Sequence, residues 1–157
     1  MSEHELLIRL DWEELELASE EEFSTWLEFG LKRFSLPAAA VGLSLGVVDA
    51  AQSQALNLQF RQKDQPTNVL AFPAGPLEAI PGEVQPLGDI IVCGPVLVKE
   101  AQEQGKPLEA HTCHLCLHGL LHLLGFDHQT QAQALEMEAE ERQILAEFGF
   151  PDPYNRA

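Results

Sequence analysis

Five of the six histidines in this chain lie between positions 111 and 128: His111, His114, His118, His122 and His128. Imidazole is the commonest side-chain metal ligand and the usual acid–base group near neutral pH. The stretch that holds the cluster reads as one helix from Pro107 to Leu124. Pro107 suits a first helical position, Glu109 suits the positive N-terminal end, and Gly125 suits the left-handed residue that closes a helix. Most of the remaining side chains are leucines and cysteines on every side, so the helix is a buried one. At about 100° per residue, positions 111, 114, 118 and 122 fall within roughly 80° of one another. Four histidines therefore share one stripe, and buried imidazoles need partners.

A metal ion is one such partner. Zinc–nitrogen bonds are about 2.0–2.1 Å. His114 and His122 are roughly 12 Å apart along the helix axis, so one ion cannot take both. It can take a pair four residues apart, with a third ligand from elsewhere. The chain breaks at Gly125 and returns with His128, which favours His118, His122 and His128. The alternative pair, His114 and His118, leaves His128 further away. Three neutral imidazoles leave the charge of the ion uncompensated and one position open, where a bound water becomes more acidic. His114 is expected as a buried or rim histidine and His111 as polar helix surface near the mouth of the site. Asp127 is expected to cap the turn or to hold a ligand imidazole.

The spacing H-x3-H-x5-H, with Gly125 three residues after the second histidine, is also that of the metzincin zinc proteases. Their general base is the Glu directly after the first histidine. Here that residue is Gly119. A metallopeptidase of this type would lack its base unless another carboxylate, such as Asp127, supplied it.

HGLLHLLGFDH, from His118 to His128, resembles the signature of the YbeY family of metal-dependent endoribonucleases, bacterial ribosomal-RNA maturation factors. LNLQFRQKDQPTNVLAFP, from Leu56 to Pro73, resembles a second block of that family. Gly88–Ile90 and the E-M-x3-E pattern from Glu136 to Glu141 also fit. Two positions depart: Asn68 stands where the family usually has Asp, and Ala71 where it usually has Ser. The resemblance runs from about Asp11 to Gly149. It implies a zinc-dependent, single-strand-specific endoribonuclease in ribosomal-RNA maturation, at the 3′ end of small-subunit rRNA, and in ribosome quality control. It also implies RNA and the ribosome or ribosome-associated proteins as partners, no DNA, and Arg61 as the functional arginine at the scissile phosphate. Without the resemblance, Arg61 would read as a surface residue aiding a helix C-terminus. Two other functions compete: the metallopeptidase, and a non-enzymatic ribosome assembly factor with a structural metal. Structural zinc sites usually have four protein ligands, Cys among them, so a fourth ligand is the discriminator.

Composition bounds these possibilities. The 157 residues suffice for one domain with a substantial core, expected over 1–157. The net charge of −16 argues against a broad nucleic-acid-binding surface. The acid concentrates in residues 1–28 and 130–152, where Glu20–Glu22 and Glu136–Glu141 read as solvated helix faces. Arg61, Lys63, Lys99 and Lys106 leave room for a local basic cleft. Cys113 and Cys116 sit inside the Leu-rich helix and read as buried thiols rather than a redox pair. The acidic N-terminus lacks an apolar signal core and no membrane segment follows, so the expected location is cytoplasmic.

The remaining elements must position the histidine helix. Glu5–Trp12 alternates like a strand. Ser19 with Glu22 is a capping box opening a helix to about Phe34, stopped by Pro37. Ala40–Val48 is a strand. Asp49 caps a helix, Ala50–Phe60, expected to pack through Ala51, Ala55, Leu56 and Phe60. Asn68–Phe72 is a short strand, Ala74–Pro86 a surface loop, Leu87–Cys93 a strand and Pro95–Gln104 a helix. Thr130 with Gln133 opens a last helix with Ala134, Met137, Ile144 and Leu145 inward. Helices and strands mix without strict alternation. The expected fold is α+β: a small mixed sheet of about four strands covered by helices, with the zinc-binding helix buried at its centre.

Overall fold

A computed structural model describes residues 4–36, 38, 40–77 and 83–154. The elements in chain order are β1 (Glu5–Leu10), α1 (Glu20–Arg33), β2 (Ala40–Val48), α2 (Ala50–Arg61), β3 (Val69–Pro73), β4 (Val84–Cys93), α3 (Gly94–Gln104), α4 (Leu108–Leu123) and α5 (Gln131–Glu147). Both expected capping boxes form, Ser19 with Glu22 and Thr130 with Gln133, and Asp49 makes a third with Gln52. Each satisfies amides that would otherwise be left open at a helix start.

The strands form one mixed sheet in the order β1-β2-β4-β3. β1, β2 and β4 run parallel, and β3 joins the edge antiparallel to β4. The α+β expectation of about four strands holds. β1 ends two residues early because the amides of Asp11 and Trp12 both turn onto Val47 O, at 3.0 and 3.1 Å. β4 starts at Val84, which shortens the expected Ala74–Pro86 loop; part of that loop, like the expected stop at Pro37, lies outside the described residues.

α2 packs differently from its apolar pattern. Ala51, Ala55 and Phe60 are exposed, and Leu56 is half-buried. The buried residues are Ser53 and Asn57. Ser53 Oγ donates to Thr67 O and accepts from Thr67 N, both at 3.0 Å, and Asn57 Nδ2 donates to Gln65 O at 2.8 Å. The helix thus holds the polar 62–67 loop through hydrogen bonds. Those bonds satisfy a loop backbone that an apolar face would leave unpaired.

α4 is the centre of the molecule, packed against β3, β4, α1, α3 and α5. Leu117, Leu120 and Leu121 are fully buried on it. Each contributes about 1.5–3 kcal/mol of hydrophobic stabilisation. The helix lies close on the sheet because position 119 has no side chain. A Cβ there would sit 2.8 Å from Ile90 Cγ2 and 3.2 Å from Val69 Cγ2. Position 119 therefore faces the sheet, about 100° round the helix from His118. No helix among the described residues is long and apolar enough to cross a membrane.

This contact predicts the sign of a substitution. Gly119→Ala gains about 1 kcal/mol of helix propensity. It loses about 1–3 kcal/mol by overpacking against the branched Ile90 side chain. The expected net result is a stability loss of up to about 2 kcal/mol in urea denaturation, with Gly119→Glu far worse. A Gly119→Ala protein more stable than the parent would contradict this packing.

Candidate metal centre

The site is built where α4 ends. Leu124 closes the helix, and Gly125 takes a left-handed φ of 100°. Phe126 N bonds Leu121 O at 3.0 Å and Gly125 N bonds His122 O at 3.1 Å, the paired bonds of a Schellman closure. Phe126 then packs on Phe34, and Asp127 Oδ1 accepts from His128 N at 2.7 Å. Asp127 thus holds the turn. The turn carries His128 back over the helix end, its ring centroid 5.0 Å from that of His122 and 5.7 Å from that of His118.

His118 Nε2 and His122 Nε2 face each other at 3.2 Å. The ligand nitrogens of His118, His122 and His128 all lie within 4.8 Å of one another. Tetrahedral zinc with bonds of about 2.0–2.1 Å holds its nitrogens roughly 3.3 Å apart, so the donor set fits a zinc-sized ion. Burial, then the neighbouring His118 and His128 charges, lower the His122 pKa, which favours the neutral ligand form. His128 is exposed, so the group opens to solvent on one side. Among the described residues no fourth histidine, cysteine or carboxylate joins it. The thiols of Cys113 and Cys116 are buried, which raises their pKa and keeps them protonated.

A second group, His114, His118 and Glu141, has comparable compactness. Glu141 is fully buried on α5. Burial alone would raise its pKa, but hydrogen bonds from His114 and His118 outweigh it and bring the carboxyl down to about 2. An ionised carboxylate only accepts. The nitrogens facing it must therefore donate: His114 Nε2–H at 2.6 Å and His118 Nδ1–H at 3.2 Å, both to Oε2. Tyr154 O–H donates to Oε1 at 2.7 Å. Both carboxylate oxygens of Glu141 thus have donors, while Nδ1 of His114 is buried without a hydrogen-bond partner among the described residues. In the tautomer with its proton on Nδ1, His118 would present the Nε2 lone pair, and that atom faces His122. The contacts thus separate the two groups: in the second Glu141 engages donors from His114, His118 and Tyr154, and the first brings the ring nitrogens of His118, His122 and His128 together without a carboxylate.

Sequence reasoning missed Glu141, taken there as part of a solvated run. A signal existed, since Glu141 lies four residues after Met137 and three before Ile144, on the inward stripe of α5. His111 is a correction of another kind: expected on polar surface, it is 4 % exposed, with Nε2 2.9 Å from Glu100 Oε1. Glu100 also accepts from Asn68 Nδ2, at 3.2 Å to Oε2. Burial would raise the Glu100 pKa, but the His111 and Asn68 hydrogen bonds lower it overall. Asn68 Oδ1 accepts from Val69 N at 2.7 Å, so the amide uses both ends. An aspartate at 68 would set a second carboxylate against Glu100.

Arg61 lies at the outer edge of the sheet. Asn68 O and Ala74 N bond β4 or its approach, so the even-numbered residues of β3 face β4 and Ala71 O points away. Arg61 Nη2 donates to that oxygen at 3.2 Å, and its guanidinium stands 6.0 Å from the Phe72 ring centre. The opposite end of β3 is tied through Asn68 and Glu100 to His111, the first histidine of the stripe. Arg61 and the stripe thus share β3 as a support, without a hydrogen bond between them among the described residues.

Two imidazoles at the end of a buried helix and a third from the turn that follows it, backed by a carboxylate and open on one side, define an α+β protein with a candidate catalytic metal centre. The model of the endoribonuclease YbeY family matches residues 9–149, and the chain belongs to that family. A Thermotoga maritima protein of known solution structure, TM1509, is similar throughout: 25 % identity over 96 % of this chain and 99 % of that one, with a TM-score of 0.58.

Two measurements check this geometry. Zinc analysis of the purified variants should show loss for His118→Ala, His122→Ala and His128→Ala, and retention for His114→Ala. An empty His114→Ala with a full His122→Ala would move the centre to the second group. Asn68→Asp should lower stability by about 1–2 kcal/mol at pH 7, through a lost donor and facing carboxylates. Because the folded pKa of Glu100 is depressed, its contribution is present above the unfolded carboxylate pKa and lost as pH falls through the folded value. The gap between variant and parent in denaturation curves should therefore narrow towards acid pH; a gap that widens would refute the assigned pairing.

Proposed function

We propose that this chain is, over its whole length, a zinc-dependent endoribonuclease specific for single-stranded RNA. Its role is ribosomal-RNA maturation, at the 3′ end of small-subunit rRNA, and ribosome quality control in the cytoplasm. The observation that carries the reading is the open His118–His122–His128 group in a chain of the YbeY endoribonuclease family. A structural-metal assembly factor would be expected to close its site with a fourth protein ligand, and this group has three among the described residues. A metzincin-type peptidase would need a carboxylate at 119, and that position faces Ile90 and Val69.

His118, His122 and His128 would hold the ion, which when bound supplies Lewis-acid charge at a phosphoryl oxygen and acidifies water. The residues around it do the positioning. Glu141 fixes the proton of His118 on Nδ1 and so keeps Nε2 available as a donor atom. Arg61 contributes a fixed planar cation able to pair with phosphate oxygens and to stabilise charge developing on them. Its hydrogen bond to Ala71 O and its place over Phe72 orient it before substrate arrives.

The charge of −16 shapes how RNA would be met. Long-range repulsion disfavours free RNA, so productive targeting relies on the ribosome or a ribosome-associated protein that supplies positive surface. Few phosphates are neutralised, so RNA binding should be weak and fall with salt less steeply than for a basic nuclease.

The test is cleavage of a defined single-stranded RNA, with and without chelator, beside an unfolded protein substrate. The parent should cut RNA only with metal, and His122→Ala should not cut. Arg61→Ala should keep its zinc and melting temperature and lose about 10²–10³-fold in cleavage rate. Metal-dependent peptide cleavage with intact RNA would overturn the nuclease assignment, and unchanged RNA cleavage by Arg61→Ala would return that residue to a structural role.

A further inference from the structure

The matched family region ends at residue 149, yet the chain continues into the site. Residues 150–154 fold back along α5 and are pinned at several points. Arg142 Nε donates to Asp152 Oδ2 at 3.0 Å, and Asp152 Oδ1 accepts from Tyr154 N at 2.8 Å. Lys106 Nζ donates to Pro153 O at 2.9 Å, and the Arg142 guanidinium stands 5.3 Å from the centre of the Tyr154 ring. These contacts deliver the Tyr154 hydroxyl to Glu141 Oε1 at 2.7 Å, with His114 Nε2 3.2 Å from the Tyr154 hydroxyl oxygen.

Glu141 has two oxygens and distinct tasks for them. Oε2 receives His114 and His118, and Oε1 receives Tyr154. Without the tyrosine, Oε1 would be a buried charged acceptor with no donor among the described residues, at a cost larger than that of a neutral orphan. The carboxylate could then rotate to recruit a donor, and the geometry at His118 Nδ1 would change with it. We infer that Tyr154 and Glu141 are positioning residues that act in series: the C-terminal segment fixes the carboxylate, and the carboxylate fixes the tautomer and ring orientation of His118 towards the metal. Outer partners of this kind typically set metal affinity within about 10–100-fold. The inference rests on the metal centre proposed above and adds the residues that hold its first ligand in register.

The experiment uses full-length protein, with zinc as the probe. Zinc affinity is measured by competition with a chromophoric chelator for the parent, Tyr154→Phe and Glu141→Gln. Long-range proton–nitrogen NMR of the zinc-free proteins reports which His118 nitrogen carries the proton. Melting temperature without zinc separates positioning from folding. Tyr154→Phe, which removes one oxygen, should keep its fold, bind zinc about threefold to tenfold more weakly, and lose the single Nδ1–H signature of His118. Glu141→Gln should lose about 10–100-fold. Should Glu141→Gln fail to fold, Tyr154→Phe alone decides. Parent protein that takes up no zinc would overturn both the metal centre and this inference. Parent protein that binds zinc, beside a Tyr154→Phe variant of equal affinity and unchanged His118 tautomer, would overturn the positioning role alone.

Discussion

A buried carboxylate organises this molecule. Taking an ionised group such as Glu141 out of water is costly unless it is paired and hydrogen-bonded. Glu141 is fully buried. It is matched by His114 and His118 from α4 and by Tyr154 from the C-terminal segment. Three parts of the chain therefore meet at one point, and α5 docks on α4 in the register that brings them together. The same interaction would favour the His118 tautomer with its proton on Nδ1, with Nε2 facing His122. Stability and the proposed chemistry are joined there: the bonds that make burial of the charge tolerable would also prepare His118 as a ligand.

The second constraint is the close approach of α4 to the sheet. Gly119 brings the helix backbone down on Ile90 and Val69. This fixes the rotation of α4, and so turns the histidine stripe away from the sheet core. It also explains why the protease-like spacing carries no protease base. A glutamate at 119 would be driven into the packed layer between α4 and β3–β4. The Schellman turn at Gly125 then returns His128 to the stripe, with Asp127 holding the turn.

Much of this was legible in the sequence because it is local. The histidine helix, its glycine closure, two capping boxes and the return of His128 each depend on residues a few positions apart. The mixed four-stranded sheet also followed from local patterns. The tertiary partners were harder. Glu141 sits in an acidic run whose other glutamates are at least partly exposed, and its burial depends on donors at 114, 118 and 154. His111 was misplaced for the same reason, since its partner Glu100 lies on a different helix. α2 misled because its apolar residues outnumber the polar ones it buries. Ser53 and Asn57 face inward because the 62–67 loop needs hydrogen bonds more than α2 needs a greasy face. The family difference at 68 also becomes intelligible only with Glu100 in view, where an amide donates and a carboxylate would repel.

The central claim is that the ion sits between His118, His122 and His128, and that Glu141 serves it from behind His118. Anomalous-difference density at the zinc edge, from crystals of zinc-loaded protein, tests this most directly. The account predicts one peak within bonding distance of His118 Nε2 and His122 Nε2, with His128 as the third ligand, and with Glu141 still bonded to His118 Nδ1. A peak between His114, the Nδ1 side of His118 and Glu141 would contradict it.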